Sequence, residues 1–475
     1  MTLSAERTAG SVMNQRPIRR PDAANVKMMT RRGWWLVILN FLIPGSAQAL
    51  AGNRRLGRLG LRLTLVMWVL VVIAALGALL WRTAALAVVT FRFTLPILAV
   101  LLAVYAVVWV ILSIDTLRLV RVVRTRAPQR FFILLLGLIL AAVQAVTGVF
   151  GVSTLITSSG FLNDNFSNAA PVVPPSDGYY NVLLLGADSG EGRDSLRYDS
   201  ISVISINADT GAITITGVPR DLEHAPFSEG SPMLAEYPTR FEGHADPECG
   251  WTSGINQLTN AVAFCREDGG ESLYPDAEKH DSLPEVEATK DAVEGLTGLE
   301  IPYYVSIDMQ GFAALIDAVG GVTITVDERL PEGGGPAYDD QPAEEWATGW
   351  IEKGEQKMNG ETALWYARSR YTTSDWDRMQ RQRELQTAVL SQMTPQNLLT
   401  RLEEVADAGT AVLDTDVPRA LVPTFLDLAV EARKQEMGSV ELNPDMGVDQ
   451  IEPDVALIQQ MVHDALHPAT EAPAE

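Results

Sequence analysis

Apolar residues follow two different patterns along this chain. As far as residue 156 they form long unbroken runs; from Tyr179 they form short runs punctuated by Gly, Pro, Asn and Asp. Leu63 to Trp81, Phe93 to Ile114 and Phe131 to Ile156 are each apolar over roughly the 20 residues that a helix needs to cross a bilayer. Trp34 to Ala51 is shorter and is interrupted by Asn40, Pro44, Gly45 and Gln48. In the later part, Asn181 to Leu185 is a continuous apolar run suited to a strand buried on both faces. Ser200 to Ile206 and Ala212 to Gly217 read as two more strands joined by a hairpin turn. Asp291 to Leu299 reads as a helix, Tyr303 to Ile307 as a strand, Gly311 to Val319 as a helix and Val322 to Val326 as a strand. Thr362 to Arg370 fits either a strand or a short helix, and Ser374 with Asp377 forms a capping box that opens another helix. Helices are also expected over Ala420 to Arg433 and Asp454 to Leu466. The pattern predicts an α/β domain with a mixed central β-sheet covered by helices, preceded by an N-terminal helical transmembrane region.

Charge sharpens the boundary. Residues 1–170 hold 18 Lys and Arg against four acids (Glu6, Asp22, Asp115 and Asp164), whereas the remainder holds 19 against 55. The acidic part offers no broad basic face, which argues against nucleic acid as a partner. Most of these basic residues fall in three clusters: Arg16 to Arg32, Arg54 to Arg62, and Arg118 to Arg130. Placing all three in the cytoplasm satisfies the positive-inside rule if Trp34 to Ala51 enters and leaves on one side, broken at Pro44-Gly45. That gives three crossings plus one re-entrant segment; four crossings is the alternative. The expected organisation is a cytoplasmic basic tail (1–33), a transmembrane region (34–156), a short flexible linker (157–178), an extracytoplasmic catalytic domain (179–467) and a disordered tail (468–475). No N-terminal signal peptide is read. The two cysteines, Cys249 and Cys265, lie in the acidic part. They are a candidate disulfide if that part is exported, with two free thiols as the alternative.

Candidate chemistry concentrates at strand ends and in one arginine-rich stretch. Asp188 closes the first strand and Asp199 opens the second, so both carboxylates are aimed at the crevice where α/β folds bind ligands. Two hard oxygen donors with room for water and phosphate suit Mg²⁺ (or Mn²⁺). Arg220 follows a strand in Val-Pro-Arg-Asp. Arg368, Arg370, Arg378, Arg381 and Arg383 crowd into sixteen residues of an otherwise acidic domain. On a strand Arg368 and Arg370 would share a face. On a helix Arg378, Arg381, Gln382 and Leu385 share one side, a stripe able to grip phosphate oxygens. The competing reading is ion pairing with Glu361, Asp375, Asp377 and Glu384. The five histidines (His224, His244, His280, His463 and His467) are read as forming no metal-ligating spacing such as H-x-x-x-H. No Ser/His/Asp arrangement and no Gly-rich phosphate loop is read.

Six segments, in order, resemble the motifs of the LytR–CpsA–Psr family of cell-wall glycopolymer transferases. They are Leu184-Leu185-Gly186-Ala187-Asp188, Arg197-Tyr198-Asp199-Ser200, Val218-Pro219-Arg220-Asp221, Val319-Gly320-Gly321-Val322, Asn359-Gly360 with Ala363 to Arg370, and Asp375-x-x-Arg378-x-x-Arg381-Gln382. The chain departs from that pattern at Gly254-Ile255-Asn256, where many members carry Lys before Ile-Asn, and in its several N-terminal helices where one anchor is usual. The region around Cys249-Gly250-Trp251 resembles the actinobacterial branch. The resemblance implies a polyprenyl-pyrophosphate glycan as donor, peptidoglycan as acceptor and a multi-pass protein of the cytoplasmic membrane whose catalytic domain lies outside. It implies Asp188 and Asp199 as metal ligands, with catalytic roles for Arg197, Asp199 and Arg220. Arg197, Arg220, Arg368, Arg370, Arg378, Arg381 and Gln382 would hold the pyrophosphate, and Ile301 to Val326 would supply an apolar slot for the lipid. Two other functions fit the same residues: a polyprenyl-pyrophosphate hydrolase, and a non-enzymatic membrane sensor that binds a phosphorylated lipid.

Overall fold

The structure, a computed structural model, describes residues 18–19, 21–167, 170–188, 197–333, 335, 337–338, 341–369, 374–392 and 413–468, with Asp188, Met309 and Gln310 described by backbone alone. The chain divides into two compact units, Met1–Ser159 and Gly160–Glu475.

The first unit is helical. Apolar Trp34 to Ala51 is split, as its Pro44-Gly45 pair predicts, into α1 (Val26–Leu42) and α2 (Ser46–Ala51). Gly45 takes φ 91° at the break, a conformation that L side chains avoid. α3 (Arg54–Leu80), α4 (Arg82–Thr90), α5 (Thr94–Val120) and α6 (Ala127–Asp164) follow. Among the described residues three helical stretches, Arg54–Leu80, Thr94–Arg124 and Ala127–Asp164, are long and apolar enough to cross a membrane. Apolar side chains such as Ile73, Leu79 and Phe150 point outward along them, which suits lipid rather than water. The split segment is pinned by buried polar groups: Asn40 donates to Ser113 Oγ at 3.0 Å, Ser113 to Gln144 at 2.7 Å, and Gln48 to the Leu112 carbonyl at 2.8 Å. Gly57 lets α2 and α3 touch, since a Cβ there would strike the backbone of Ala49.

The second unit is a mixed sheet between helical layers. β1 (Tyr179–Asp188), β2 (Arg197–Asn207) and β3 (Ile213–Val218) run antiparallel in sequence. The β2–β3 turn is held by Asn207, whose side chain accepts from the amides of Asp209 and Thr210, with Gly211 at φ 72°. α7 (Pro284–Thr297) carries the chain to β4 (Tyr303–Asp308), which lies parallel to β1. α8 (Met309–Val319), β5 (Val322–Val326), β6 (Leu330–Glu332), α9 (Ala343–Trp346), β7 (Gly349–Ile351), β8 (Gly354–Met358), α10 (Gly360–Arg368) and α11 (Asp375–Gln392) come next. β9 (Leu413–Thr415), α12 (Val422–Ala432), β10 (Gly438–Glu441) and α13 (Val455–Leu466) complete the order. The six-stranded sheet runs β10-β3-β2-β1-β4-β9; β5 with β8 and β6 with β7 form separate two-stranded pieces. On one face Leu183, Leu185 and Val203 pack with Val293 and Leu296 of α7 and Ile458 and Val462 of α13. On the other, Ile204, Ile213 and Ile215 meet Leu390 of α11 and Ala432 of α12. A third cluster, built on Ile316, Ile324, Tyr366 and Leu385, binds α8, α10 and α11 to the β5–β8 pair. The mixed sheet with helices on both faces is the predicted class.

One open choice is decided here and one expectation, the linker, is corrected. Thr362 to Arg370 is helix α10 as far as Arg368, capped by Asn359, whose side chain accepts from the Thr362 amide. Residues 157–164 lie in helix α6 rather than in a linker. The rest of the expected linker is tied down where it is described: the Ser167 amide donates to Val417 O at 3.1 Å and the Val173 amide to Tyr303 Oη at 2.6 Å. Phe166 and Val173 are the reason, since both pack against Val182, Tyr303 and Val417. The expected disordered tail beyond His467 lies outside the described residues except for Pro468.

Cys249 and Cys265 form a disulfide across a sequence separation of 16. Closing a loop of that size should stabilise the second unit by about 3 kcal/mol. The paired Cys249→Ser and Cys265→Ser variant should lose about that much in urea unfolding, and reductant should destabilise the native protein but not the variant.

Candidate active site

The site begins with a fault in strand alternation. β1 and β2 pair regularly from Tyr179–Asn207 to Gly186–Ser200; the register then skips, so that Ala187 faces Tyr198 and Asp188 faces Arg197. Asp199 is the extra residue of this bulge, which bends the strand and re-aims side chains. Tyr198 and Ile201 consequently both point into the core shared with α7, while Arg197, Asp199 and Ser200 all line a cavity on the opposite side. That cavity measures about 500 Å³. Its walls are the ends of β1, β2 and β4, the Arg220–Asp221 turn, the Asn256–Gln257 turn, and helices α8, α10 and α11.

Charges converge along one wall. Arg220 Nη1 is bonded to Asp199 Oδ1, and its Nε lies 3.3 Å from Asp221 Oδ2. Burial alone would lower the Arg220 pKa, yet the attraction of Asp199, Asp221 and Asp375 outweighs it and holds the guanidinium above its ordinary range. Asn256 locks the turn: its Nδ2 donates to Asp221 Oδ1 at 2.9 Å and its amide to the Arg220 carbonyl at 3.0 Å. From the helical wall come Arg368 at the end of α10, and Arg378, Gln382, Leu385 and Gln386 of α11. α11 begins where its sequence predicts, with Asp377 accepting from both the amide and the hydroxyl of Ser374 at 2.6 Å. Arg378 is buried and pairs with Asp375 at 3.1 Å; Arg368 lies exposed, 5.7 Å from the centre of the Trp365 ring. Leu184, Ile307, Phe312, Leu364 and Leu385 supply an apolar side. A chamber with cationic donors on one flank and apolar groups on the other is suited to an amphiphilic phosphorylated ligand.

Of the residues singled out from the sequence, Arg197, Asp199, Arg220, Arg368, Arg378 and Gln382 meet at this cavity. Arg381 does not line it. Its guanidinium is buried and donates to the carbonyls of Tyr366 and Ser369, so it ties α11 to the end of α10. Arg383 has a similar role: it pairs with Glu441 of β10 and lies over Gly217 of β3, where a Cβ would collide with it. Of the ion pairs expected as the alternative, Arg378 makes the one with Asp375, whereas buried Arg383 pairs with Glu441 instead of the nearby acids. Arg370 lies outside the described residues, as does the side chain of Asp188, whose backbone closes β1 opposite Arg197. Sequence reasoning passed over Ser200, Gln257, Asp308 and Gln386. Asn256 was noted only as the end of Gly254-Ile255-Asn256, where Gly254 stands in place of Lys. The histidines also need a correction: His463 and His467 stand four apart on α13 and at its C-cap, which is an H-x-x-x-H spacing.

For a metal, the wall offers the hard carboxylate oxygens of Asp199, Asp221 and Asp308, the donor type that Mg²⁺ takes. Asp199 accepts from Arg220 through Oδ1, and its Oδ2 makes no hydrogen bond among the described residues. The donor chemistry fits.

Comparison with known proteins agrees with the motifs. Residues 282–470 match the model of the LytR_cpsA_psr family. Over these residues the second unit is similar to this family. The chain is 24% identical over 308 residues to the biofilm regulatory protein A of Streptococcus mutans, covering 61% of this chain and 63% of that protein. It is 26% identical over 241 residues to the polyisoprenyl-teichoic acid–peptidoglycan teichoic acid transferase TagU of Halalkalibacterium halodurans, covering 50% of this chain and 61% of that protein. The matches therefore span under two thirds of each of these relatives. Among solved structures, Bacillus subtilis TagV aligns with TM-score 0.42 and 17% identity, over 62% of this chain and 97% of TagV. The arginines of α10 and α11 divide into those that line the cavity and those that brace the fold. Arg381→Ala should cost about 2–3 kcal/mol, because two buried carbonyls lose their donor, and should leave binding of inorganic pyrophosphate within about twofold. Arg368→Ala, on an exposed helix end, should change stability by under about 0.5 kcal/mol and weaken that binding about tenfold. Denaturant unfolding beside calorimetric titration separates the two.

Proposed function

We propose that this protein is a membrane-anchored phosphotransferase that moves a glycopolymer from a polyprenyl-pyrophosphate carrier to peptidoglycan. The observation that carries this is the cavity at the β2 bulge: Arg220, Arg368 and Arg378 stand on its walls beside Asp199, with apolar groups from β4 and α8 alongside. The teichoic acid transferase activity in the name of TagU supports the same reaction class. Arg197, Arg220, Arg368, Arg378 and Gln382 would bind the diphosphate oxygens, and Ile307 and Phe312 would begin the slot for the lipid. A sugar hydroxyl of peptidoglycan attacks the phosphorus next to the glycan and forms a new O–P bond. The bond from that phosphorus to the bridging oxygen breaks, and polyprenyl phosphate leaves with that oxygen. The hydroxyl proton departs to a wall carboxylate or to water; Asp199 and Asp221 both face the cavity. Mg²⁺ or Mn²⁺, held by Asp199 with Asp188 from the neighbouring strand end, would supply charge neutralisation at the diphosphate. The chain's own part is positioning and electrostatic stabilisation, through guanidinium groups fixed before substrate arrives. Arg220 is fixed on two sides, bonded on one to Asp199 and flanked on the other by Asp221.

The three apolar helices suit a membrane anchor for an enzyme whose donor stays in the bilayer. Three crossings with the α1–α2 break facing back to the cytoplasm would put the second unit outside, with all three basic clusters inside. A single cysteine introduced at Ala24, in the exposed N-terminal tail, should then resist membrane-impermeant thiol reagents added from outside to cells and react once the membrane is opened; labelling in intact cells would require four crossings.

The reaction is tested with the full-length protein in detergent, a polyprenyl-pyrophosphate oligosaccharide, a peptidoglycan acceptor and added Mg²⁺. Glycan should become attached to the acceptor, and Arg220→Ala should lower the rate about 10²–10³-fold, the range for removing one preorganised stabilising donor, while the protein stays folded. Free glycan phosphate without transfer would make the protein a hydrolase. Tight lipid binding with no turnover would make it a sensor.

A further inference from the structure

The His463-x-x-x-His467 pair lies away from the cavity, at the C-terminal end of α13. Residues four apart on a helix share a face, and the two imidazole rings sit 4.7 Å apart. A third group reaches them from far along the chain: Asp177 Oδ2 is 2.7 Å from His467 Nε2 across a sequence separation of 290. One ligand atom from each of Asp177, His463 and His467 lies within 4.8 Å of the other two.

Asp177 is held there by a tight turn. Ser176 and Tyr179 exchange both backbone hydrogen bonds at 2.9 Å, and the two residues between them have positive φ, 48° at Asp177 and 81° at Gly178. Positive φ is uncommon for a residue with a side chain, and Asp is among the few that adopt it readily. The neighbouring Tyr179 braces the histidine: its ring meets His467 edge to face at 5.6 Å, and its hydroxyl donates to the Leu466 carbonyl. The last turn of a helix also carries partial negative charge, which favours a cation at this position.

We propose that Asp177, His463 and His467 form a binding site for a divalent transition metal of the zinc type, which staples the start of β1 to the C-terminal helix. Two imidazole nitrogens and one carboxylate oxygen are a donor set that zinc accepts in tetrahedral geometry, with water as the fourth ligand. The same set suits Mg²⁺ poorly, because Mg²⁺ prefers all-oxygen octahedra. Zinc–ligand bonds of about 2.0 Å put ligand atoms roughly 3.3 Å apart. Reaching that spacing asks mainly for rotation of His463, whose side chain is 64% exposed. The site joins the two ends of the second unit, so its role is to stabilise rather than to react: a metal that binds the folded state alone shifts the folding equilibrium toward it.

The test uses full-length protein in detergent, free of any histidine tag and stripped with chelator, titrated with Zn²⁺ by calorimetry and followed by thermal unfolding. The expected result is one zinc per chain and a rise in Tm of about 5 °C when zinc stands a hundredfold above its Kd. His463→Ala and Asp177→Asn should each weaken zinc binding at least tenfold and abolish the rise, with circular dichroism unchanged because both side chains are exposed. Mg²⁺ in excess should not displace the zinc. Failure to bind zinc stoichiometrically, or equal affinity in wild type and both variants, would overturn the proposal.

Discussion

Asp199 and Ser200 are consecutive in β2, yet both side chains face the same side of the sheet. This break in alternation is the constraint on which the cavity depends. With regular pairing, either Tyr198 would leave the core it shares with α7 or Asp199 would turn away from Arg220. The bulge satisfies both demands. Tyr198 is 1% exposed, in a setting where burying a large aromatic ring contributes strongly to folding, while Asp199 stays at the cavity wall in contact with Arg220. Folding energy and site geometry are thus joined in one residue of extra backbone.

The electrostatics follow from that placement. The second unit is strongly acidic as a whole, and an anionic ligand approaching it meets repulsion except where arginines gather. Arg220 and Arg378 are each paired with a carboxylate, Asp199 and Asp375 respectively. These pairs keep the guanidinium groups fixed and solvated by protein before a ligand arrives, which is the preorganisation that electrostatic stabilisation requires. Arg381 and Arg383, only a few residues away on the same helix, are spent on structure: one secures the α10–α11 junction and the other fastens α11 to the β3–β10 edge. Bracing arginines hold the helix, and the helix holds Arg378 and Gln382 at the cavity wall.

Much of this was legible from residue patterns. NVLLL reads as a doubly buried strand, and its residues divide among two core clusters and the cavity wall. The capping box at Ser374 and the break at Pro44-Gly45 have short-range causes and appear as read. Other features depend on contacts remote in sequence. The bulge arises from the pairing of two strands and leaves no mark in Arg197-Tyr198-Asp199-Ser200 itself. Thr362 to Arg370 alternates weakly enough to fit strand or helix, and the choice is made by Asn359 capping and by Tyr366 packing into the cluster with Ile316 and Leu385. Arg381 shares a helical face with Gln382 and Leu385, but the neighbouring carbonyls of Tyr366 and Ser369 claim it, and only tertiary structure brings these near. Phe166 and Val173 could have warned that the stretch before Tyr179 is packed, since isolated apolar residues in a free linker have nothing to bury against.

The central claim is that the diphosphate of a lipid carrier sits in the cavity at the β2 bulge, against the arginines that the bulge and α11 present. A structure of the full-length protein with a bound, non-transferable polyprenyl diphosphate tests this directly. The account requires phosphate oxygens within hydrogen-bond distance of Arg220 and of Arg368 or Arg378, with the lipid leaving past Ile307 and Phe312. A diphosphate bound elsewhere on the protein, with the Asp199–Arg220 wall untouched, would contradict it.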